Sequence, residues 1–315
     1  MRKARFGTLA EKGSEEARSP AARARAAGAL CLLSAHIGGD VPPFVVLGGP
    51  LPELLAEGRQ PVPPHLGTTD VDVLLRAHLM PSEQLAIVEQ ALQVAGFTDS
   101  PRAEGWRWQI SIDGLAVMLD FLCDLDSERE GVIAIPGCRK LRANNLRETG
   151  YVAGDWTVRE LCADLPGLGR MSARVRFAGL EGHLLRRKCV SVRHRGTDKD
   201  YYDLAYLLLY NHAGGPREAA QRLLGGGHAG RLRELRSTFL EVRGRFYSDD
   251  SPGPRGLLQN LRGRTHLQRM QSVVPARRRR STTSSKCRLR NDRCRDCGRC
   301  RRSVCPHGCS HQPGG

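Results

Sequence analysis

Two aspartates in the segment HLGTTDVDVLL are the first candidates for chemistry in this chain. Asp70 and Asp72 open an apolar run that predicts a β-strand. Side chains alternate along a strand, so both carboxylates should point to one face, with Val71 and Val73 on the other. Carboxylates placed in this way can share Mg²⁺ or Mn²⁺, which prefer hard oxygen ligands. Short acidic pairs also occur in solvated turns, so the pair alone does not establish a metal site.

Two features of the flanking sequence favour the metal site. Upstream, the predicted strand at 44–47 ends at Gly48-Gly49 and a helix follows from Pro50. Glycine lets a phosphate approach free backbone N–H groups, and a helix start favours the anion. Downstream, Asp120 lies inside the apolar run LAVMLDFL, where an ionised carboxylate is costly unless it is paired or binds a cation. Three carboxylates beside a phosphate-binding turn suit in-line displacement on a nucleotide, assisted by two metal ions.

This combination resembles the nucleotidyltransferase superfamily, whose core is of the DNA polymerase β type. The resemblance covers roughly residues 40–210 and is strongest at the two glycines, at TDVD and at KDYYDL. It implies that three carboxylates are catalytic and bind the metal ions: Asp70, Asp72 and Asp120. It also implies that Gly48, Gly49 and Thr69 bind the nucleotide. Where the family often has Ser or Thr after the glycines, this chain has Pro50, so a hydroxyl contact to phosphate is lost.

The segment RRKCVSVRHRGTDKDYYDLAYLL resembles the AbiEii/AbiGii toxin branch of that superfamily. The branch implies a helical domain whose cations face the nucleotide, here Lys188, Arg193 and Lys199. Asp200 and Asp203 share a helix face and would orient those cations by pairing, although an ordinary surface helix pair explains them equally well. The branch further implies transfer of an NMP from an NTP to RNA, such as a tRNA 3′ end, and an antitoxin protein as partner.

Apolar periodicity around these residues predicts an α+β fold with a mixed sheet of nucleotidyltransferase type and flanking helices. Asp113-Gly114 between two apolar runs predicts a hairpin whose second strand carries Asp120. We expect a flexible segment at 1–19, a nucleotidyltransferase domain at 20–150 and a helical domain at 151–250. The residues from 251 to 315 are predicted to be a disordered basic tail rich in cysteine.

The positive charge of the chain is concentrated at its ends. Of the formal net charge of +16, residues 266–315 contribute +11 and residues 1–30 contribute +4, so the central body is nearly neutral. A basic tail binds phosphates by counterion release. Two alternatives therefore remain beside an RNA-modifying enzyme. One is an inactive body that binds nucleic acid through the tail, and the other is an aminoglycoside-type enzyme that modifies a small molecule.

The cysteines form two groups. Five are scattered through the body and suit buried thiols in a reducing cytosol: Cys31, Cys123, Cys138, Cys162 and Cys189. Six lie in the tail with His307 and His311, and these are zinc ligand types: Cys287, Cys294, Cys297, Cys300, Cys305 and Cys309. Because few apolar residues surround them, zinc binding, disorder and a shifted reading frame all stay open.

Two remaining features concern a ring pair and the location of the protein. Trp106 and Trp108 share a strand face and could stack a base or cover a core. The charged N-terminal residues have no apolar segment typical of a signal peptide. No stretch approaches the roughly 20 apolar residues that a membrane helix needs. We therefore expect a cytoplasmic protein that makes no use of a membrane.

Overall fold

A computed structural model describes residues 19–56, 62–65, 70–100, 103–125, 127–146, 154–184, 189–225, 233 and 235–261. Within these ranges, one sheet has the strand order β3-β4-β5-β2-β1-β9-β8, and β6 and β7 extend it beside β5. The strands are β1 Phe44–Gly48, β2 Asp70–Leu75, β3 Thr98–Asp99, β4 Arg107–Ile112, β5 Leu115–Cys123, β6 Gly131–Ala134, β7 Arg142–Asn145, β8 Trp156–Leu165 and β9 Gly169–Ala178.

Helices flank this sheet and form most of the described residues after β9. They are α1 Pro20–Ile37, α2 Leu51–Leu54, α3 Ser82–Val94, α4 Leu180–Gly182, α5 Cys189–His194, α6 Asp198–Tyr210, α7 Pro216–Gly225, α8 Arg236–Arg245 and α9 Pro252–Leu261. The sheet mixes parallel and antiparallel pairs, because β2 runs antiparallel to β1 but parallel to β5. The predicted α+β class with a mixed sheet and flanking helices is therefore confirmed.

Helix α1 packs across the sheet because its inner face carries small residues. Its start is capped by Ser19, whose side chain accepts a hydrogen bond from the Ala22 N–H at 3.1 Å. At Gly28, a Cβ atom would lie only 2.6 Å from a methyl carbon of Leu165, so the glycine permits a close approach to β8. The apolar residues of the central strands are buried in the core, and β1 is buried along its whole length.

The predicted hairpin is present and fixes the partner of Asp120. Asp113 and Gly114 have φ values of 51° and 75°, as a two-residue turn of type I′ requires. This turn pairs β4 with β5 in a register that places Arg107 opposite Asp120. The position of the turn thus decides which side chain the buried carboxylate meets.

Two of the predicted segments differ in the structure. The interval 151–250 was expected to be helical, but β8 and β9 occupy its first part. The sequence of β8 favours a strand, because exposed residues alternate with more buried ones along its second half. Strand β9 then pairs with β1 in parallel, so the sheet crosses the predicted boundary at residue 150. Helix α9 replaces the start of the predicted disordered tail, and residues 262–315 lie outside the described residues.

No helix within the described ranges has the length and apolar character required to cross a membrane.

Candidate functional site

Two predicted aspartates lie on one face of β2, and the third lies beside them. Asp70 and Asp72 alternate with the buried Val71 and are themselves half-buried. In the parallel pairing of β2 with β5, Asp72 is the register partner of Asp120, which is 8% exposed. The fold therefore brings the three carboxylates predicted from sequence to adjacent positions on neighbouring strands.

Gly48 is required by the carboxylate of Asp72. Its φ of 75° is one that residues with a side chain rarely adopt, and a Cβ atom there would overlap Oδ2 of Asp72. The glycine at the end of β1 thus gives this aspartate its place in the site. Helix α2, which follows the turn, has 4 residues, so its dipole contributes little to anion binding. Phosphate binding by the Gly48-Gly49 turn stays a prediction.

Arg107 completes the cluster and was not anticipated. Its Nε donates to Oδ1 of Asp120 and its Nη2 donates to Oδ2, each at 2.5 Å. The guanidinium also lies 5.0 Å from the centre of the Trp106 ring. Such a bidentate ion pair is geometrically specific and strong for a hydrogen-bonded pair. One cation therefore lies among three carboxylates, on the strand next to β5.

Burial and like charge together govern the ionisation of Asp120. Its pKa is raised, mainly because burial disfavours the carboxylate, while the hydrogen bonds from Arg107 act in the opposite direction. The charges of Asp72 and Asp70 add to the increase. The pKa of Arg107 is raised by its hydrogen bond to Asp120, so the guanidinium keeps its proton more firmly. The mutual influence of these groups follows from their adjacent positions on β2, β5 and β4.

Two of the three carboxylates fit Mg²⁺. Among the residues that the structure describes, no three Asp, Glu, His or Cys side chains form a ready metal-binding group. Mg²⁺ is nevertheless bound by one or two carboxylates together with substrate phosphates, and Asp70 and Asp72 supply those donors. Arg107 occupies one acceptor position on each oxygen of Asp120 and leaves the other, so the predicted metal contact of Asp120 stays a prediction.

The two aspartates of α6 have partners other than the predicted cations. Asp200 closes a capping box with Thr197 and pairs with Nη2 of Arg195 at 2.5 Å. Asp203 contacts Nε2 of His65 at 3.0 Å, and both carboxylates are 1% exposed. These contacts hold α6 to its neighbours. Lys188 lies outside the described residues, so the predicted pairing of Asp200 and Asp203 with the basic side chains stays a prediction.

His65 is the second residue that sequence reasoning missed. It packs against the rings of Tyr202 and Tyr206, with centroids 5.2 and 4.9 Å away. Tyr206 donates its hydroxyl hydrogen bond to the Pro63 carbonyl at 2.8 Å, so the short segment 62–65 is held against α6. Arg23 of α1 donates to the His65 carbonyl. This clasp connects two helices to the chain that leads into β2.

The remaining predicted nucleotide-binding residues do not meet the carboxylates in the described part of the chain. Arg193 of α5 donates to Oγ1 of Thr238 at 3.0 Å and pairs with Glu241 at 3.1 Å, so its contacts are with α8. Lys199 lies in the first turn of α6 and is half-buried. Thr69 and Lys188 lie outside the described residues. Their predicted contacts with a nucleotide stay predictions.

The other sequence candidates resolve as follows. Trp108 is buried in the core and donates from Nε1 to the Gly105 carbonyl at 3.0 Å, so it does not stack a base. Of the five body cysteines, Cys31, Cys123 and Cys189 are buried as expected, while Cys138 is half-buried and Cys162 is exposed. The cysteine-rich tail lies outside the described residues.

Comparison with known proteins does not identify a family. The chain matches no family model and no curated protein. Among solved structures it is similar to an antigenic nucleotidyltransferase-like protein from Paracoccidioides brasiliensis. That similarity has 15% sequence identity, spans 70% of this chain and 94% of that chain, and has a TM-score of 0.32. A TM-score of this size leaves the family open, so function is argued from the site itself.

Proposed function

We propose that this protein is a metal-dependent nucleotidyltransferase that moves an NMP from an NTP to an acceptor hydroxyl, with RNA as the acceptor class. The observation that carries the proposal is the arrangement of Asp70 and Asp72 on one strand face, with Gly48 against Asp72 and Asp120 beside it. The glycine makes room for the carboxylate of Asp72 two residues from Asp70. Folding stability alone does not explain this arrangement, because it places like charges close together.

The residues of the site have distinct tasks in this reaction. The acceptor oxygen forms a bond to the α-phosphorus, the bond to the bridging oxygen breaks, and pyrophosphate leaves. Asp70 and Asp72 hold Mg²⁺, which stabilises charge on phosphate oxygens when bound. Arg107, held by Asp120, offers a fixed cation to the phosphates near both aspartates. Asp120 accepts the acceptor proton once Arg107 releases one of its oxygens.

The acceptor class rests on charge. The net charge of +11 over residues 266–315 attracts polyanions without reading sequence, whereas the central body is nearly neutral. A small cationic acceptor would be repelled by the same residues. An antitoxin partner stays a prediction from the resemblance.

The test is transfer of labelled nucleotide to RNA in the presence of Mg²⁺. Asp70→Asn and Asp72→Asn should each reduce transfer by at least about 100-fold, since even changes outside the ligand shell cost 10- to 100-fold. Asp113→Asn is the matched control. Asp113 is an exposed residue of the β4–β5 turn, and Asn tolerates its positive φ. Transfer that survives both site substitutions would refute the proposal.

A further inference from the structure

Two arginines lie at the end of the sheet remote from the Gly48 turn. Arg176 of β9 is in register with Val45, which pairs with Leu74 of β2. Arg76 comes directly after Leu75, the last residue of β2. The Arg176 guanidinium donates to the carbonyl of Pro42, just before β1 begins. Both arginines therefore lie at the same end of the sheet.

Neither arginine has a carboxylate partner among the residues that the structure describes. Both are half-buried, and the Nε of each is buried without a hydrogen-bond partner there. The register partners of Arg176 are apolar, with Val45 on one side and Val158 on the other. By contrast, the nearby exposed Arg174 pairs with Asp40. Two partly dehydrated cations without an anion form an unfavourable arrangement that a bound anion would relieve.

The electrostatics of the pair agree with this geometry. The pKa of Arg176 is lowered, first by burial and then by the charge of Arg76, which shows that the two guanidinium groups repel each other. A guanidinium nevertheless remains protonated in proteins, so the pair keeps its charge. The Trp156 ring lies 4.9 Å from the Arg176 guanidinium carbon and restricts its position. The cations are therefore held in place before any ligand binds.

We propose that Arg76 and Arg176 bind a backbone phosphate of the acceptor RNA. This inference rests on the proposed function for the identity of the acceptor. Planar guanidinium groups bind phosphate oxygens in a bidentate manner, and two of them suit one phosphate or two neighbouring ones. Asp72 is three residues before the end of β2, roughly 10 Å at the usual rise, and Arg76 follows directly after that end. An anion at the arginines is thus distinct from phosphates held beside Gly48, and a polynucleotide can reach both.

The test measures binding of a labelled single-stranded RNA to the full chain in EDTA, where metal-dependent transfer cannot contribute. Arg76→Gln together with Arg176→Gln should weaken binding at least tenfold. The double variant should also reduce the slope of log K against log salt by roughly 0.7 for each single-strand phosphate contact that is lost. Arg174→Gln is the matched control, from the same strand and the same face, and should bind normally. The basic C-terminal residues are present in every variant, so only differences between variants count.

Further measurements distinguish an RNA phosphate from other phosphates and test whether the variants fold. Inorganic phosphate should raise the melting temperature of the wild-type chain more than that of Arg76→Gln. Nε of Arg76 has no hydrogen-bond partner in the described part of the chain, and Gln keeps the backbone hydrogen bond from the Leu79 N–H, so Arg76→Gln should leave folding intact. If an NTP competes with RNA for the arginines, the ligand is the nucleotide and the assignment to the acceptor is overturned. Unchanged RNA binding by Arg76→Gln and by the double variant would also overturn it.

The result of the RNA-binding test does not depend on whether the chain transfers nucleotide. Asp72→Asn should leave RNA binding in EDTA unchanged even where it abolishes transfer. RNA binding that depends on the arginines, in a chain that never transfers nucleotide, would confirm the phosphate site and refute the enzyme. Transfer that depends on Asp72 but not on Arg76 or Arg176 would confirm the enzyme and refute the phosphate site.

Discussion

Two pairs of aspartates in this molecule look alike in sequence and differ in structure. Asp70 and Asp72 lie on a strand, half-buried and next to a third carboxylate. Asp200 and Asp203 lie on a helix, 1% exposed, and each meets a cationic or imidazole partner on a different element. The first pair lies beside a third carboxylate on the neighbouring strand, whereas the second pair contacts a guanidinium and an imidazole. The surroundings of the acids, and not their spacing, therefore distinguish a candidate binding site from a structural clasp.

The clasp should provide the largest effect on stability. Asp203→Ala removes the carboxylate that His65 contacts and leaves a buried imidazole without it, which should cost roughly 3–5 kcal/mol of unfolding free energy. Urea denaturation measures the change. Asp198→Ala is the control, because Asp198 is an exposed residue of the first turn of the same helix and should cost at most about 1 kcal/mol. Equal losses of unfolding free energy in Asp203→Ala and Asp198→Ala would contradict the distinction between the two aspartate pairs.

Glu89 extends the comparison, since it is a buried carboxylate stabilised mainly by backbone N–H groups, with a smaller contribution from the charge of Lys140. It accepts hydrogen bonds from the N–H groups of Arg139, Lys140 and Leu141. Burial acts to raise the pKa of Glu89, but these bonds lower it below its ordinary value. Glu89→Gln should cost roughly 1.5–3 kcal/mol at pH 7.

The pH dependence of that cost follows from the lowered pKa. The stabilisation by Glu89 is fully present above its ordinary pKa of 4.5 and is lost as the pH falls through the folded-state pKa. The difference between wild type and Glu89→Gln in urea denaturation should therefore shrink as the pH is lowered below about 4.5. A difference that is constant with pH would show that packing, and not the charge, is responsible.

Gly48 tests the carboxylate region by a double-mutant cycle. Gly48→Ala should cost about 1–3 kcal/mol, from the positive φ and from overlap with Asp72. In an Asp72→Ala background the overlap is gone and only the φ strain remains, so the cost of Gly48→Ala should fall. Denaturation of the four chains gives the coupling energy. A coupling energy of zero would mean that Asp72 does not occupy the place of the missing Cβ.

Arg107 should produce the smallest change, in metal affinity. Replacing it with Gln removes a cation beside the carboxylates, so Mg²⁺ should bind about tenfold more tightly, equivalent to about 1.4 kcal/mol. Calorimetric titration with Mg²⁺ alone measures this, and Arg142→Gln, an exposed arginine of β7, is the control. Weaker Mg²⁺ binding by the Arg107 variant would indicate that the guanidinium organises the metal ligands and does not compete with the metal.

The sequence predicts the local parts of this site better than the contacts that join them. Asp70 and Asp72 are found on the predicted strand, and the Asp113-Gly114 turn is where the pattern places it. Counting outward from that turn puts Arg107 opposite Asp120, so the missed ion pair was already contained in the predicted hairpin.

Other features depend on distant pairings that no local pattern contains. His65 and Asp203 are 138 residues apart and meet only because α6 packs on the segment before β2. The parallel pairing of β2 with β5 likewise joins strands separated by α3 and the hairpin. Strands β8 and β9 were missed because their outward faces are rich in charged residues, which hides the apolar alternation.

The parallel pairing of β9 with β1 has a consequence for how the chain is made. Strand β1 is apolar and buried along its whole length, and one of its two edges stays unpaired until β9 has been translated. Ribosomes add about 5–20 residues per second, so that edge remains open for roughly 7–26 s. During this interval the unpaired edge of FVVLG can form hydrogen bonds with strands of other nascent chains and lead to aggregation. Rapid pairing of β1 with β2, or a chaperone on the emerging N-terminal half, would protect the yield of folded protein.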